Sequence, residues 1–538
     1  MKKKKAASIA VIVFFAVLTA IGFAANDYGV PVDEHWEMQT LKENLHEYAV
    51  HLGADEWSAW FEEQGIGLIS ESTERDHGQC AYYAFAPVLV AYARYPDVLS
   101  QAWHAYTWLW FMLGVWSVYA FSRDTGHRRM VSCLGALVLY LCPRFFAEGH
   151  YNNKDMVLLS LLLCTLWLGV RFLRNPTYKR GVLLSFVGTM AANTKIIGIM
   201  GWGLMGLAAI VMLTADKRWS KRMLGVAAVT IGSFVAFYAL LTPACWADPL
   251  GYVQYLIRNA SGFSRWTGVV VFRGMVIDQQ VQKLPWYYLP WLIVVTLPLF
   301  VLPLAAGGQL FVLRRLLKQK AQLWSDPVSL ALIAASLCWM LPLAAAILIR
   351  PTMYNGWRHF YFLFAGLALM AAQGVCGCFR FVRRHGGDCS MQYVFLAGLL
   401  LYYGWTAHGM VQNHPHQYAY YNLIGHENAE TAMELDYWNV GSKSAMEQLL
   451  ACERNEELPL VLGCRESMSW FGVAHGYTAL SPEEQTRLTI EEIPDAPYLL
   501  YNTTYARIYG TPPPEGYHEL ITVDSYGLTV CTIYEKDA

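Results

Sequence analysis

Charge is what this sequence has least of: 15% of its 538 residues are Asp, Glu, Lys or Arg and 55% are apolar, whereas soluble domains run nearer to about a quarter charged. Most of the chain is therefore solvated by lipid. It also lacks an excess of either sign. Forty Lys and Arg against 41 Asp and Glu leave a net charge of −1, so no global basic field exists to hold nucleic acid, and polyanion binding as a main role is excluded. The 12 cysteines form no C-x-x-C pair and no Cys/His cluster with zinc spacing, Cys376 and Cys378 being closest together. That excludes a disulfide framework and a structural zinc. Internal repeats and low-complexity tracts are missing as well, so inverted-repeat transporter folds gain no support.

What the chain does have is long apolar runs. After Lys2 to Lys5 it is uncharged from Ala6 to Ala25, long enough to cross the hydrocarbon core as a helix. Phe23-Ala24-Ala25, ending in small residues, also fits a signal-peptide end, but the run is long for a signal h-region of about 7–15 residues, and a retained first span is expected. Ten further apolar segments lie near 103–121, 130–142, 156–172, 181–193, 196–213, 223–242, 286–309, 327–349, 360–378 and 392–409. Residues 181–213 could form one kinked span or two short ones divided by Asn193-Thr194-Lys195. With two, the inner loops collect 22 of the 40 basic residues, as the positive-inside rule wants; with one, eleven of them would move outside. The expected fold is a polytopic α-helical membrane protein of about 11 transmembrane helices, N-terminus inside and C-terminus outside, whose short inner loops and tetra-lysine start fit a bacterial inner (plasma) membrane.

The mass and the acid lie outside. The first outer loop, 26–101, carries fourteen acidic residues against three basic ones. Within it Met38, Leu41, Leu45, Ala49 and Leu52 form an amphipathic helical stripe, opposite Lys42, Glu43, Glu47 and His51. Such a helix either lies in the membrane interface with its polar face up, or packs against the bundle. A second outer loop covers 243–285. The segment 410–538 is polar enough to fold in water and reads as a small extracytoplasmic α/β domain: a helix near Ser444 to Ala451, then strands at Leu458 to Leu462, Tyr498 to Tyr501, Leu520 to Val523 and Leu528 to Tyr534.

Ionisable residues gather at the outer edge of the spans. Pro31-Val32-Asp33-Glu34-His35-Trp36 follows the first span, and a carboxylate beside low-dielectric surroundings can act as a base. Taken alone the pair also suits solvated surface. Arg144, Glu148, His150, Lys154 and Asp155 crowd the stretch before the fourth span; Asp155 could simply complement the helix dipole, which leaves the other four unexplained. Lys195, Arg258, Arg265 and Asn355-Gly356-Trp357-Arg358-His359 add cations suited to phosphate, although any one of them could be a snorkelling anchor. The triplets at Asn259 and Asn502 are N-glycosylation acceptor patterns facing outside.

Taken in order, Asp33-Glu34, Pro143-Arg144-Phe145-Phe146 through Asn153-Lys154-Asp155-Met156, Ala192-Asn193-Thr194-Lys195-Ile196, Leu284-Pro285-Trp286-Tyr287-Tyr288-Leu289-Pro290, Gly356-Trp357-Arg358-His359-Phe360, His416-Gln417-Tyr418, Tyr421-Asn422 and Asp436-Tyr437-Trp438 resemble the GT-C superfamily of integral-membrane glycosyltransferases. The likeness is to the dolichyl-phosphate-mannose protein mannosyltransferase family (glycosyltransferase family 39) and its bacterial relatives. The resemblance implies a GT-C-like transmembrane catalytic domain over 1–409 beside the 410–538 domain. It implies Asp33 as catalytic base, Asp155 as a second acidic site residue with Glu34 beside the base, and a sugar donor on a polyprenyl phosphate. Arg144, Lys154, Lys195 and Arg358 are the candidates for the donor phosphate, with lysine at 195 where many relatives have arginine. The β-trefoil insertion of eukaryotic relatives is missing, and the acceptor could be a protein, a lipid or a polysaccharide. A divalent cation between the phosphate and Asp155, Glu34 or Glu148 would suit the chemistry, but no ligand spacing demands one. The competing class is a lipid or solute transporter (flippase), whose site would sit near the bilayer midplane. A non-catalytic receptor with a partner-binding 410–538 domain is the third.

Overall fold

The computed structural model describes residues 2–261, 268–385, 390–452, 459–465 and 467–537. Six of its helices are long and apolar enough to cross a membrane, or up to eight if each of two bent pairs is one span. The chain is an integral membrane protein. Asp155–Arg174 is the central helix: it is apolar on every side and almost wholly buried, packing against Pro96–Asp124, Tyr178–Thr194, Ile199–Ala215, Pro327–Ile349 and Leu363–His385. Its acidic head therefore sits where several helix ends converge. Outer helices such as Lys221–Leu241 expose Leu224, Ile231, Val235 and Leu240 in the manner of a lipid-facing surface.

The ambiguous stretch 181–213 folds as two helices. Tyr178–Thr194 ends at an extended Lys195, and the chain reverses, since Trp202 Nε1 donates to Ser185 Oγ at 3.2 Å. In a continuous helix those residues would lie roughly 25 Å apart along the axis.

Two segments differ from the sequence expectation. Residues 286–309 are not one straight span: Tyr288–Thr296 and the helix from Val301 are bent by 109°, because Pro298 has no N–H to continue the ladder and its ring crowds the preceding turn. Residues 143–151, expected as loop, form the helix Pro143–Tyr151, bent 73° from Arg129–Tyr140. Pro143 again sets the break and serves as a first-turn residue of the new helix.

The first outer loop packs onto the bundle. Its helix Glu34–His51 buries Leu41 and Ala49 but also Glu34, Glu37, Asn44 and Glu47, so the polar face is not turned up toward water as an interfacial helix would require. Thr194 precedes the Lys195 turn, and Asn193 ties the loop there: it accepts the Cys80 N–H on Oδ1 and the Gly78 N–H on its carbonyl.

Beyond the last apolar helix, residues 413–440 run without long helices across the ends of the spans. They meet a hairpin of β1 (Val269–Phe272) and β2 (Met275–Asp278), where Glu434 Oε1 accepts the Val271 N–H at 2.9 Å. The C-terminal part is a five-stranded mixed sheet ordered β4-β3-β5-β7-β6, from β3 (Leu460–Cys464), β4 (Leu488–Ile490), β5 (Tyr498–Asn502), β6 (Tyr517–Ser525) and β7 (Leu528–Lys536). β3 is parallel to β4 and β5, and β7 pairs antiparallel with β5 and β6. Four strands and the helix Gly441–Cys452 lie where the sequence pattern puts them; β4 is too short to show a period, and Leu458 lies outside the described residues. Asn502 is fully buried, donating to Asp436 and Asn439 and capping the helix Thr503–Tyr509, so the fold leaves this triplet no accessible amide.

Two helices approach backbone to backbone. A Cβ on Gly308 would lie 1.8 Å from the Met370 carbonyl oxygen, and one on Gly374 1.9 Å from that of Leu304, whereas Gly307 faces open space. Small residues let membrane helices touch in this way. Gly308→Ala and Gly374→Ala are expected to lower the apparent melting temperature of the detergent-solubilised protein, at a cost of at least about 1–3 kcal/mol, while Gly307→Ala leaves it unchanged. A thermal-shift series on the three variants checks this.

Candidate active site

Asp33 precedes the first turn of helix 34–51 and makes no capping bond with its side chain. The carboxylate is left free to accept from Arg358 Nη1 at 2.6 Å, and the Val32 N–H donates to the Trp438 carbonyl at 3.1 Å, fixing the approach of the chain. A negative charge there is favoured by the helix N-terminus. One turn on, Glu37 lies on the same face and meets Lys154 Nζ at 2.6 Å and Gln79 Nε2 at 2.7 Å. Asp155 opens the central helix; its N–H donates to Asn152 Oδ1 at 2.9 Å, and its carboxylate accepts from Lys195 Nζ at 2.5 Å.

Arg358 lies on the short helix Arg358–Phe360, which Tyr288 steadies by donating its hydroxyl to the Gly356 carbonyl at 3.0 Å. Its guanidinium donates to the Tyr437 hydroxyl at 2.9 Å and lies 4.3 to 4.8 Å from the ring centres of Tyr354, Tyr437 and Trp438, a cation–π cage. Three ion pairs thus converge on one cavity of about 40 Å³, lined by Asp33, Glu37, Lys154, Asp155, Lys195 and Arg358 among others. That is room for a few waters. A sugar phosphate enters only if the pairs part.

The charges respond to burial and to one another. Burial holds the Glu37 carboxyl above its usual range, against the pull of Lys154. Lys154 is raised in turn, because Glu37 and Glu74 outweigh its desolvation. Burial, then the Lys154 ammonium, push His77 down, against the pull of Glu74. His359 is lowered by burial and then by Lys195, Arg358, His77 and Lys154.

The expected residues separate into two groups. Asp33, Glu34, Lys154, Asp155, Lys195 and Arg358 line the cavity. Glu34, however, has both oxygens engaged, accepting from Ser100 Oγ at 2.5 Å and 2.6 Å from His104 Nε2. Arg144 is not among the residues that line the cavity. It is buried on helix 143–151, against the rings of Tyr418 at 4.3 Å and Tyr421 at 5.1 Å. Glu148 accepts from Trp438 Nε1 at 2.8 Å and so positions a wall of the arginine cage. His150 stacks on Trp108 and sits 3.0 Å from the Gly22 carbonyl. Arg258 is exposed and does not line the cavity, and Arg265 lies outside the described residues. For a divalent cation beside Asp155, Glu34 or Glu148, among the described residues no group of three or more His, Cys, Asp or Glu is placed to hold a metal ion.

Sequence reasoning missed Glu37, His77, Asn152, Tyr354 and the cage role of Trp438. Glu37 carried a readable signal, its spacing of four from Asp33. His77 did not, since a long irregular loop brings it in.

Residues 98–246 match the family model described as Dolichyl-phosphate-mannose-protein mannosyltransferase, a stretch that holds Lys154, Asp155 and Lys195 but neither Asp33 nor Arg358. The resemblance read from the sequence is borne out there. No curated protein matches the chain. Among solved structures, ArnT from Cupriavidus metallidurans in the apo state is similar at 14% identity and a TM-score of 0.45, over 98% of each chain. ArnT bound to undecaprenyl phosphate gives 14% and 0.43 over 97% of each. The arabinofuranosyltransferase AftD from Mycobacteria gives 12% and 0.44, over 98% of this chain and 40% of that one. A likeness at these scores decides neither fold nor function.

One carboxyl beside the site sets a pH dependence. Burial pushes Glu434 up to about 7 from 4.5, against hydrogen bonds from Val271 and Asn355. The folded state thus holds a proton that the unfolded chain releases, so this group's stabilisation is full below about pH 4.5 and is lost as pH rises through about 7. Each tenfold difference in proton affinity between the folded and unfolded chain is worth up to about 1.4 kcal/mol, and Glu434→Gln is expected to flatten the fall in apparent melting temperature over that window. Asp436, raised by burial to about 6, keeps part of the slope. Thermal unfolding of both proteins across the pH range measures the difference.

Proposed function

We propose that the protein is an inverting glycosyltransferase that moves a hexose from a polyprenyl-phosphate donor to an acceptor hydroxyl at the extracytoplasmic face of the membrane. The observation that carries the reading is the cavity itself, at the membrane edge, where Asp33 is paired with Arg358 and Asp155 with Lys195. The family match over 98–246 supports it independently and favours a mannosyl-type donor.

The chemistry follows from exchange within those pairs. A donor phosphate takes the place of the carboxylates on Arg358 and Lys195, with Lys154 close by. Asp33, released and partly solvent-exposed, accepts the proton of the acceptor hydroxyl as that oxygen attacks the anomeric carbon. The bond from that carbon to the phosphate oxygen breaks as the new one forms, the electron pair leaves with the phosphate, and configuration inverts. The leaving group is already anionic, so its charge needs the cations and no general acid. Beside helix 34–51 an open apolar groove of about 500 Å³, with Leu45, Leu52, Trp57 and Phe61 in its wall, suits the prenyl chain.

The reading brings a topology with it: eleven spans, the cavity outside, and the basic helix ends inside, in a bacterial inner membrane. It treats 1–409 as catalytic and 410–538 as an extracytoplasmic domain that contributes Tyr437 and Trp438 to the wall and bears on acceptor choice.

The test is turnover of labelled polyprenyl phosphate sugars by the purified protein in nanodiscs. Release of polyprenyl phosphate is expected, with Asp33→Asn slower by at least about 10²-fold while folding and donor binding persist. Undiminished turnover by Asp33→Asn removes the base. A solute flux in liposomes without turnover of any donor replaces transfer with transport.

A further inference from the structure

The opposite end of the bundle holds a second charged cavity, which the transfer chemistry does not use. It has a volume of about 570 Å³ and lies between the helices Val301–Gln319 and Leu363–His385, over the turn that follows Pro96–Asp124. The central helix runs from Asp155 at the candidate active site to Arg174 at this end, where Arg171 meets Asp124 at 2.9 Å. The two cavities are thus separated by the length of a span.

Its floor is polar and prearranged. His127 is buried with Nε2 2.7 Å from Gln373 Oε1, and Gln373 Nε2 donates to Thr125 Oγ1 at 3.2 Å. Its rim is cationic: Arg314, Arg315, Lys318, Arg380 and Arg384 all line it. Only Arg315 has a carboxylate, Asp326 at 2.8 Å; among the described residues the other four have no acidic partner. The field reaches the floor. Burial, and then Arg380, Arg315 and Arg123, push His127 down to about 4 against its hydrogen bond to Gln373. The remaining wall is apolar, with Phe311, Val312 and Leu332.

Snorkelling explains single cations at helix ends, each reaching outward to headgroups. It does not explain cations from two helices converging on a half-open cavity with a polar floor and an apolar side. Guanidinium groups suit phosphate by paired hydrogen bonds, and basic pockets between spans are where anionic headgroups dock. We infer that this cavity binds the phosphate headgroup of an anionic membrane lipid, with the phosphate among Arg314, Lys318, Arg380 and Arg384 and an acyl chain along Phe311 and Val312.

The experiment is native mass spectrometry of the full chain, titrated with phosphatidic acid, with phosphatidylcholine of the same acyl chains, and with glycerol 3-phosphate. The expected result is saturable binding of phosphatidic acid that weakens about tenfold or more, worth about 1.4 kcal/mol per tenfold, in Arg380→Gln/Arg384→Gln. The control Arg171→Gln, at the same end but outside the cavity, binds as wild type. Should the double variant not fold, Arg314→Gln/Lys318→Gln, both exposed on the other helix, serves instead. Equal binding of phosphatidylcholine, or an equal loss with Arg171→Gln, overturns the site. Glycerol 3-phosphate binding as tightly as phosphatidic acid overturns the lipid and leaves a free-anion site.

Discussion

The structure around the candidate active site depends on the cost of holding Lys154, Lys195 and Arg358 out of water. An ionised group buried without a partner is worth several kcal/mol of destabilisation, and a buried pair is tolerated only where geometry and extra hydrogen bonds repay the desolvation. Here each cation meets a carboxylate at 2.5 or 2.6 Å. The partners come from separate stretches of chain: the first outer loop, the head of the central helix, the break at Lys195 and the turn at 355–359. The pairs therefore act as long-range ties. They draw a loop, two helix ends and a turn to one point, which hydrophobic burial alone would not specify.

That dependence explains what was legible in the sequence. Asp33, Asp155, Lys195 and Arg358 stand beside apolar runs, where an ionisable residue is costly and so conspicuous, and all four line the cavity. The break at Lys195 was legible through charge, because only two helices keep the later basic loops on one side. Arg144 was conspicuous for the same reason, yet it does not line the cavity. Its place in the same dozen residues as Lys154 hid a helix on which it meets Tyr418 and Tyr421, and Pro143, which starts that helix, reads equally well as the end of the previous one. Proline likewise breaks 286–309, where uniform apolarity conceals a bend. His77 was illegible for a different reason: polar residues abound in 26–101, and only the folded loop shows which of them face inward, whereas Glu37 could have been read from its spacing of four from Asp33.

The segment 413–440 is the least regular part of the site and the most constrained. Trp438 is held by Glu148, Tyr437 by Arg358, and Glu434 by the β1–β2 hairpin and Asn355. The C-terminal sheet reaches the same segment, since Ser525 Oγ donates to the His416 carbonyl and Asn502 to that of Asp436. Such a wall transmits the position of the sheet to the arginine cage. Whatever the sheet engages would bear on how readily Arg358 leaves Asp33.

The two ends of the bundle use cations in opposite ways. At the candidate active site Lys154, Lys195 and Arg358 each have a carboxylate, so on the proposed reading a donor phosphate would compete with carboxylates already in place. On that reading the exchange would release the displaced carboxylate, and a base would then be available only while the phosphate is bound. At the other end four cations line a cavity with no acidic partner among the described residues, and their mutual repulsion is relieved only by an anion from outside. Pairing suits a site whose ligand must come and go with each turnover. Unpaired cations over a polar floor suit a ligand that stays. Coulomb's law with different counter-charges thus separates the two ends, although both are built from arginine and lysine on the same bundle.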